Sequence, residues 1–101
     1  MLAQRATELR RRIESFSTGK VARRLALSLI RFSEQMGTPG EDGSVNMSPF
    51  SHKLLSEYIG TTREIVTHHM IQFRERGYLR YSRKAIVLYP EALREWLRQA
   101  M

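Results

Sequence analysis

Gly60-Thr61-Thr62-Arg63-Glu64-Ile65-Val66-Thr67-His68-His69-Met70-Ile71-Gln72-Phe73 is the stretch on which the reading of this chain turns. It reads as a tight turn followed by a helix. Gly60 can take positive φ at no steric cost, which suits the turn. The hydroxyl of Thr61 or of Thr62 can cap the helix start. Glu64 then falls in the first turn, near the positive end of the dipole. Val66, Met70 and Phe73 stand at i, i+4 and i+7 and make one apolar stripe. At about 100° per residue, Glu64, Thr67, His68 and Ile71 point the opposite way, with Arg63 on the flank between. One side of the helix can therefore pack on a core. The other side offers short donors and acceptors near a helix N-terminus, as a helix that enters a major groove and reads base edges must.

The residues just before the turn extend the pattern. Leu54-Leu55-Ser56-Glu57-Tyr58-Ile59 reads as a short helix ending at Gly60. Ser56 is the small residue needed where two helices cross, Gly60 the turn glycine, and Val66 the branched apolar residue inside the second helix. Two helices in an ordinary α domain are the plain alternative. After the second helix, Gly77 stops the chain. Tyr78-Leu79-Arg80-Tyr81 and Ala85-Ile86-Val87-Leu88-Tyr89 have strand composition, and Ser82-Arg83-Lys84 joins them as a hairpin. Cations at that tip suit a wing touching the phosphate backbone, or serve solubility. Pro90 opens a last helix over 91–99, whose apolar face is Ala92, Leu93, Trp96 and Leu97, with Trp96 in the core.

Upstream, residues 18–36 read as the main core helix, with Val21, Leu25, Leu29 and Phe32 widened by Ala22, Ala26 and Ile30. Gly37 to Ser44 is a loop by composition, with Glu41 and Asp42 solvated. Val45-Asn46-Met47-Ser48 reads as a short strand ended by Pro49. Ser51 caps the next helix, so Ser51, His52 and Lys53 sit at a helix N-terminus that can hold a phosphate. His52 as a plain exposed histidine is the competing reading. Leu2, Ala6, Leu9, Ile13 and Phe16 repeat at steps of four and three, an a/d seam with charge outside it. This segment is either the stub of a dimer helix or an amphipathic helix packed on its own domain. Phe16-Ser17-Thr18-Gly19 is read as an interruption, with Thr18 as N-cap and Gly19 as a bend.

Composition sets the limits. The chain has 101 residues and a formal net charge of +7. That size fits one modest core, and the charge favours a polyanion, nucleic acid before membrane. There is no cysteine, so disulfides and cysteine-ligated metal are excluded within this chain. No apolar run approaches the ~20 residues of a transmembrane helix, and the N-terminus has no signal-peptide pattern, so a cytoplasmic protein is expected. His68 and His69 are adjacent and diverge on a helix, so they do not pair on a metal. No nucleophile, base and acid can be placed together, and an enzyme is not expected.

The run Ser51 to His68 resembles the DNA-binding helix-turn-helix of the Crp/Fnr family of bacterial transcription regulators, most specifically in Gly60-Thr61-Thr62-Arg63-Glu64 and Val66-Thr67. Lys20 to Ala26 is similar to the start of that family's first DNA-binding-domain helix. Gly77-Tyr78-Leu79 and Ile86-Val87-Leu88 resemble its wing, and the likeness covers roughly residues 16 to 98. Two departures stand out. His68 replaces an arginine that contacts DNA, and His69 replaces an aliphatic residue.

The resemblance implies an α+β winged helix-turn-helix over 17–101 with a small antiparallel sheet, preceded by the end of a dimerisation helix over 1–16. Leu2, Ala6, Leu9 and Ile13 would carry the dimer contact. Arg63, Glu64, Thr67 and His68 would read bases. Thr18, Ser51, His52, Lys53, Thr62, Arg83 and Lys84 would position phosphates. The expected partner is double-stranded DNA at a palindromic site, bound by a homodimer, with no membrane partner and no cofactor within this chain. Any effector would be bound by a sensor domain that is not part of this sequence. A winged-helix protein-interaction module, or a regulator of another winged-helix family, is the alternative.

Overall fold

The computed structural model describes the backbone of residues 2–99 and the side chains of residues 19–99. In chain order the elements are α1 (Leu2–Met36), β1 (Thr38–Pro39), β2 (Val45–Met47), α2 (His52–Ile59), α3 (Arg63–Glu75), β3 (Leu79–Tyr81), β4 (Ile86–Leu88) and α4 (Pro90–Gln99). The four strands form one antiparallel sheet in the order β1-β2-β4-β3. Its register pairs Val45 with Leu88, Asn46 with Val87 and Leu79 with Leu88. This is the α+β winged helix expected from the sequence.

The core follows the apolar periodicity. Leu25, Ala26 and Leu29 of α1 are completely buried, with Val21, Ala22 and Ile30 beside them. They meet Leu55 and Ile59 of α2, Val66, Met70 and Phe73 of α3, Met47, Leu79, Ile86 and Leu88 of the sheet, and Leu93 of α4. Phe32 is only half-buried and stacks at the edge of the core on Phe50 and Tyr58, at 5.1 and 5.3 Å between centroids. Trp96 packs edge-on against Phe73 at 5.2 Å and beside Tyr78 at 6.4 Å, which ties α4 to α3 and to the start of the wing.

Two sequence expectations fail. The interruption over residues 16–19 does not occur, because α1 passes through Thr18 and Gly19 unbroken. A mid-helix glycine costs only about 1 kcal/mol relative to alanine. Ending the helix and nucleating another would cost more. Thr18 is therefore not an N-cap. Its side chain, with those of Leu2, Ala6, Leu9 and Ile13 in the proposed dimer seam, lies outside the described residues. The second failure is the loop from Gly37 to Ser44, which contains β1 and forms a hairpin with β2, Thr38 opposite Asn46. The hairpin is closed by Gly40 N–H donating to the Ser44 carbonyl at 2.8 Å. Asp42 accepts from the Ser44 amide at 3.1 Å and from the Ser44 hydroxyl. Those bonds, the hydroxyl first, hold the Asp42 carboxyl below its ordinary pKa. A proline is tolerated in β1 because the strand is an edge.

Candidate nucleic-acid interface

The interface is built on two capped helices. Ser51 Oγ accepts from Leu54 N–H at 3.0 Å and starts α2. Gly60 ends α2 in the left-handed region at φ 86°, its N–H donating to the Ser56 carbonyl. Of the two candidate threonines, Thr62 is the cap of α3, accepting from Ile65 N–H at 3.2 Å. A hydroxyl that accepts from its own helix keeps its proton free to donate, so Ser51 and Thr62 can each still offer that proton to a phosphate oxygen. Ser56 is buried at the crossing of α2 and α3, with its hydroxyl donating to the Lys53 carbonyl at 2.6 Å. Arg24 of α1 donates to the Ile59 carbonyl at 3.0 Å. There it satisfies the negative end of α2.

The phase of α3 is the one its sequence sets. Val66, Met70 and Phe73 are at most 2% exposed. Arg63, Glu64 and His68 are exposed, and Thr67 is half-buried. Gln72 is also exposed. It lies four residues after His68 and eight after Glu64, on the same outer face, and that spacing was sufficient to identify it from sequence. His69 is 3% exposed on the inner flank, and its Nε2 has no hydrogen-bond partner.

Two elements, α2 and β3, converge beside α3. His52 Nδ1 lies 2.7 Å from Thr67 Oγ1. The imidazole meets Tyr81 of β3 edge-on at 5.7 Å, and the Arg74 guanidinium sits over that tyrosine 5.2 Å from its centroid. Burial first, and the nearby Arg63 charge second, hold His52 below its ordinary pKa of 6.5. Arg74 and Tyr81 were not singled out in the sequence, because nothing local pairs a helix C-terminus with a strand. Lys53 is exposed at the start of α2, and Arg83 and Lys84 are exposed at the wing tip. The tip is closed by Ser82 N–H donating to the Ala85 carbonyl at 2.9 Å. Among the described residues, no group of three or more His, Cys, Asp or Glu is placed to hold a metal ion.

Known proteins share this fold. A family model described as the Crp-like helix-turn-helix domain matches residues 21–96. The transcriptional regulator SdrP of Thermus thermophilus is 33% identical over 79 residues, covering 78% of this chain and 39% of SdrP. Regulatory protein CysR of Synechococcus elongatus is 35% identical over 74 residues, covering 69% of this chain and 36% of CysR. The crystal structure of a CRP/FNR-family transcriptional regulator from Thermus thermophilus superposes at a TM-score of 0.66 with 30% identity, over 96% of this chain and 50% of that one. The chain thus spans well under half the length of the curated relatives it matches. It belongs to the Crp-like helix-turn-helix family, the winged-helix domain of Crp/Fnr-type transcription regulators.

Proposed function

We propose that this chain is the DNA-binding part of a transcription regulator. The outer face of α3 reads duplex sequence, while the start of α2 and the wing grip the backbone. The observation that carries the reading is the division of α3. Glu64 and His68 stand uncovered across the helix from a stripe that is at most 2% exposed, with Arg63 uncovered on the flank between. An arginine there can pair with guanine O6 and N7, and a glutamate can accept from cytosine N4. Thr67 adds a hydroxyl to the same face, and His68 gives that face a shorter donor than the family's arginine. Ser51, Lys53, Thr62, Arg83 and Lys84 supply positioning contacts that carry no sequence information, with Thr18 as a further candidate.

Two copies joined through the N-terminal part of α1 would set their α3 helices about one DNA turn apart, ~34 Å, on a palindromic site. The regulatory names of SdrP and CysR support the regulator reading. The reading needs no cofactor within these residues, and an effector would act through other parts of a longer protein. Its place of work would be the cytoplasm, where bacterial DNA lies. Among the described residues no helix is long and apolar enough to cross a membrane.

Selection of preferred sites from a random duplex pool tests the reading. A palindromic consensus is expected. Replacing Glu64 with Ala should cost about 1–3 kcal/mol on the selected site and relax discrimination at one base pair. An unchanged ranking of operator variants in Glu64→Ala would remove Glu64 from the base-reading face.

A further inference from the structure

As read from sequence, His52 serves a phosphate and Thr67 a base edge, each on its own. In the structure they are partners, Nδ1 to Oγ1 at 2.7 Å. His52 opens α2, and Thr67 lies in the second turn of α3. The imidazole is held on another side by Tyr81 of β3, whose own ring carries Arg74. Arg63 of α3 acts on it through its charge, Tyr81 of the wing touches it and carries Arg74 on its ring, and Lys53 follows it in sequence on α2.

A hydroxyl has one proton and two lone pairs. Where neutral His52 accepts at Nδ1, the Thr67 proton is committed to it, and Thr67 turns lone pairs outward. An imidazolium carries hydrogen on both nitrogens. Its Nδ1–H then donates to Thr67 Oγ1, and the Thr67 proton is released to point elsewhere. The outward Thr67 acceptor suits adenine N6 or cytosine N4, and the outward donor suits guanine O6 or thymine O4.

We propose that His52 is a positioning residue that acts through Thr67. Its protonation switches Thr67 from acceptor to donor and so changes which base is preferred at the pair Thr67 faces. The inference rests on the proposal that the outer face of α3 reads bases. Burial and Arg63 favour the neutral ring; in the tautomer with its hydrogen on Nε2, Nδ1 accepts from Thr67, and the donor state appears on acidification.

The test uses the full chain and a panel of duplexes differing at single positions of the selected site. Relative affinities are measured between about pH 5 and pH 8, the range over which histidines titrate. Ratios between duplexes cancel any general loss of folded protein. At one base pair, and its symmetry mate, the preference should shift about three- to tenfold from A or C toward G or T as pH falls, the worth of one net hydrogen bond. His52→Ala and Thr67→Val should each abolish the shift, and the double variant should add nothing further. Thr67→Ser, which keeps the hydroxyl, should retain it.

A preference that does not move with pH in the wild-type protein overturns the proposal, because Nδ1 then carries its proton throughout. So does a shift that survives in His52→Ala. Uniform weakening of all duplexes by His52→Ala, with a shallower salt dependence, would make His52 a phosphate contact instead. The underlying reading fails separately. If no site is selected, base reading by this face has to be reassigned, whereas a Glu64→Ala ranking left untouched while a His52-dependent shift persists removes Glu64 alone from that face.

Discussion

At the scale of single residues, His69 departs furthest from what its surroundings ask. It lies 3% exposed between core and surface, with Nε2 unpartnered, where an aliphatic side chain would leave no polar atom behind. A buried polar atom without a partner costs about 1–3 kcal/mol. Burial first, and then the His68 ring 5.3 Å away, hold its pKa below 6.5. The unfolded chain therefore takes up a proton more readily than the folded one. The stability tied to His69 is complete above the unfolded pKa, begins to fall as pH drops below about 6.5, and stops falling only below the folded pKa. His52, depressed by burial and Arg63, acts with the same sign. His69→Leu should raise the melting temperature at neutral pH by about 4–8 °C for each kcal/mol recovered, as expected for a domain near this size. It should also flatten the decline between about pH 7 and pH 5. Thermal melts across that range decide it, and an undiminished decline would place the acid sensitivity elsewhere.

At the scale of elements, two glycines separate what local sequence settles from what it leaves open. Gly60 ends α2 at φ 86° and Gly19 lies inside α1, and a Cβ at either would meet nothing within 4 Å. Only the backbone conformation then distinguishes them. Gly60→Ala should destabilise by about 1–2 kcal/mol, the cost of a left-handed residue with a side chain. Gly19→Ala should stabilise by about 0.5–1 kcal/mol. Urea melts that moved both variants the same way would refute the assignment. The Gly60 turn was legible because a cap, a glycine and an apolar stripe in phase all agree there. Thr18-Gly19 was misread because the same residue types serve a helix start and a helix interior, and only the continuity of Val21 to Ile30 with what precedes decides. β1 left no trace, since two exposed residues including Pro39 carry no alternation. The outward Glu64 and His68, with Arg63 on the flank, were legible because helix phase alone places them. The His52–Thr67 bond was not, because 15 residues separate the pair and the crossing of α2 over α3 brings them together.

At the scale of the whole molecule, charge and shape act together. The net charge of +7 attracts any polyanion, and by itself it selects nothing. Selectivity requires the cations to be delivered in fixed register with α3. The brace of Phe73, Tyr78 and Trp96 supplies that register, since it joins α3 to the wing and to α4 through ring contacts of 5.2 to 6.4 Å. Tyr78 N–H donating to the Phe73 carbonyl at 2.9 Å adds a backbone tie at the same corner. Arg83 and Lys84 then sit at the tip of a hairpin whose base is fixed, and the proposed function makes each a backbone contact without a base to read. Lys84→Ala should weaken binding to all duplexes alike and reduce the slope of log affinity against log salt by about 1. It should leave the order of operator variants unchanged, the converse of Glu64→Ala. Titrations of both variants at several salt concentrations separate the two roles. A Lys84→Ala protein with an unchanged slope would show that the wing tip stays clear of the phosphates, and a changed operator order would make the wing a reader of sequence.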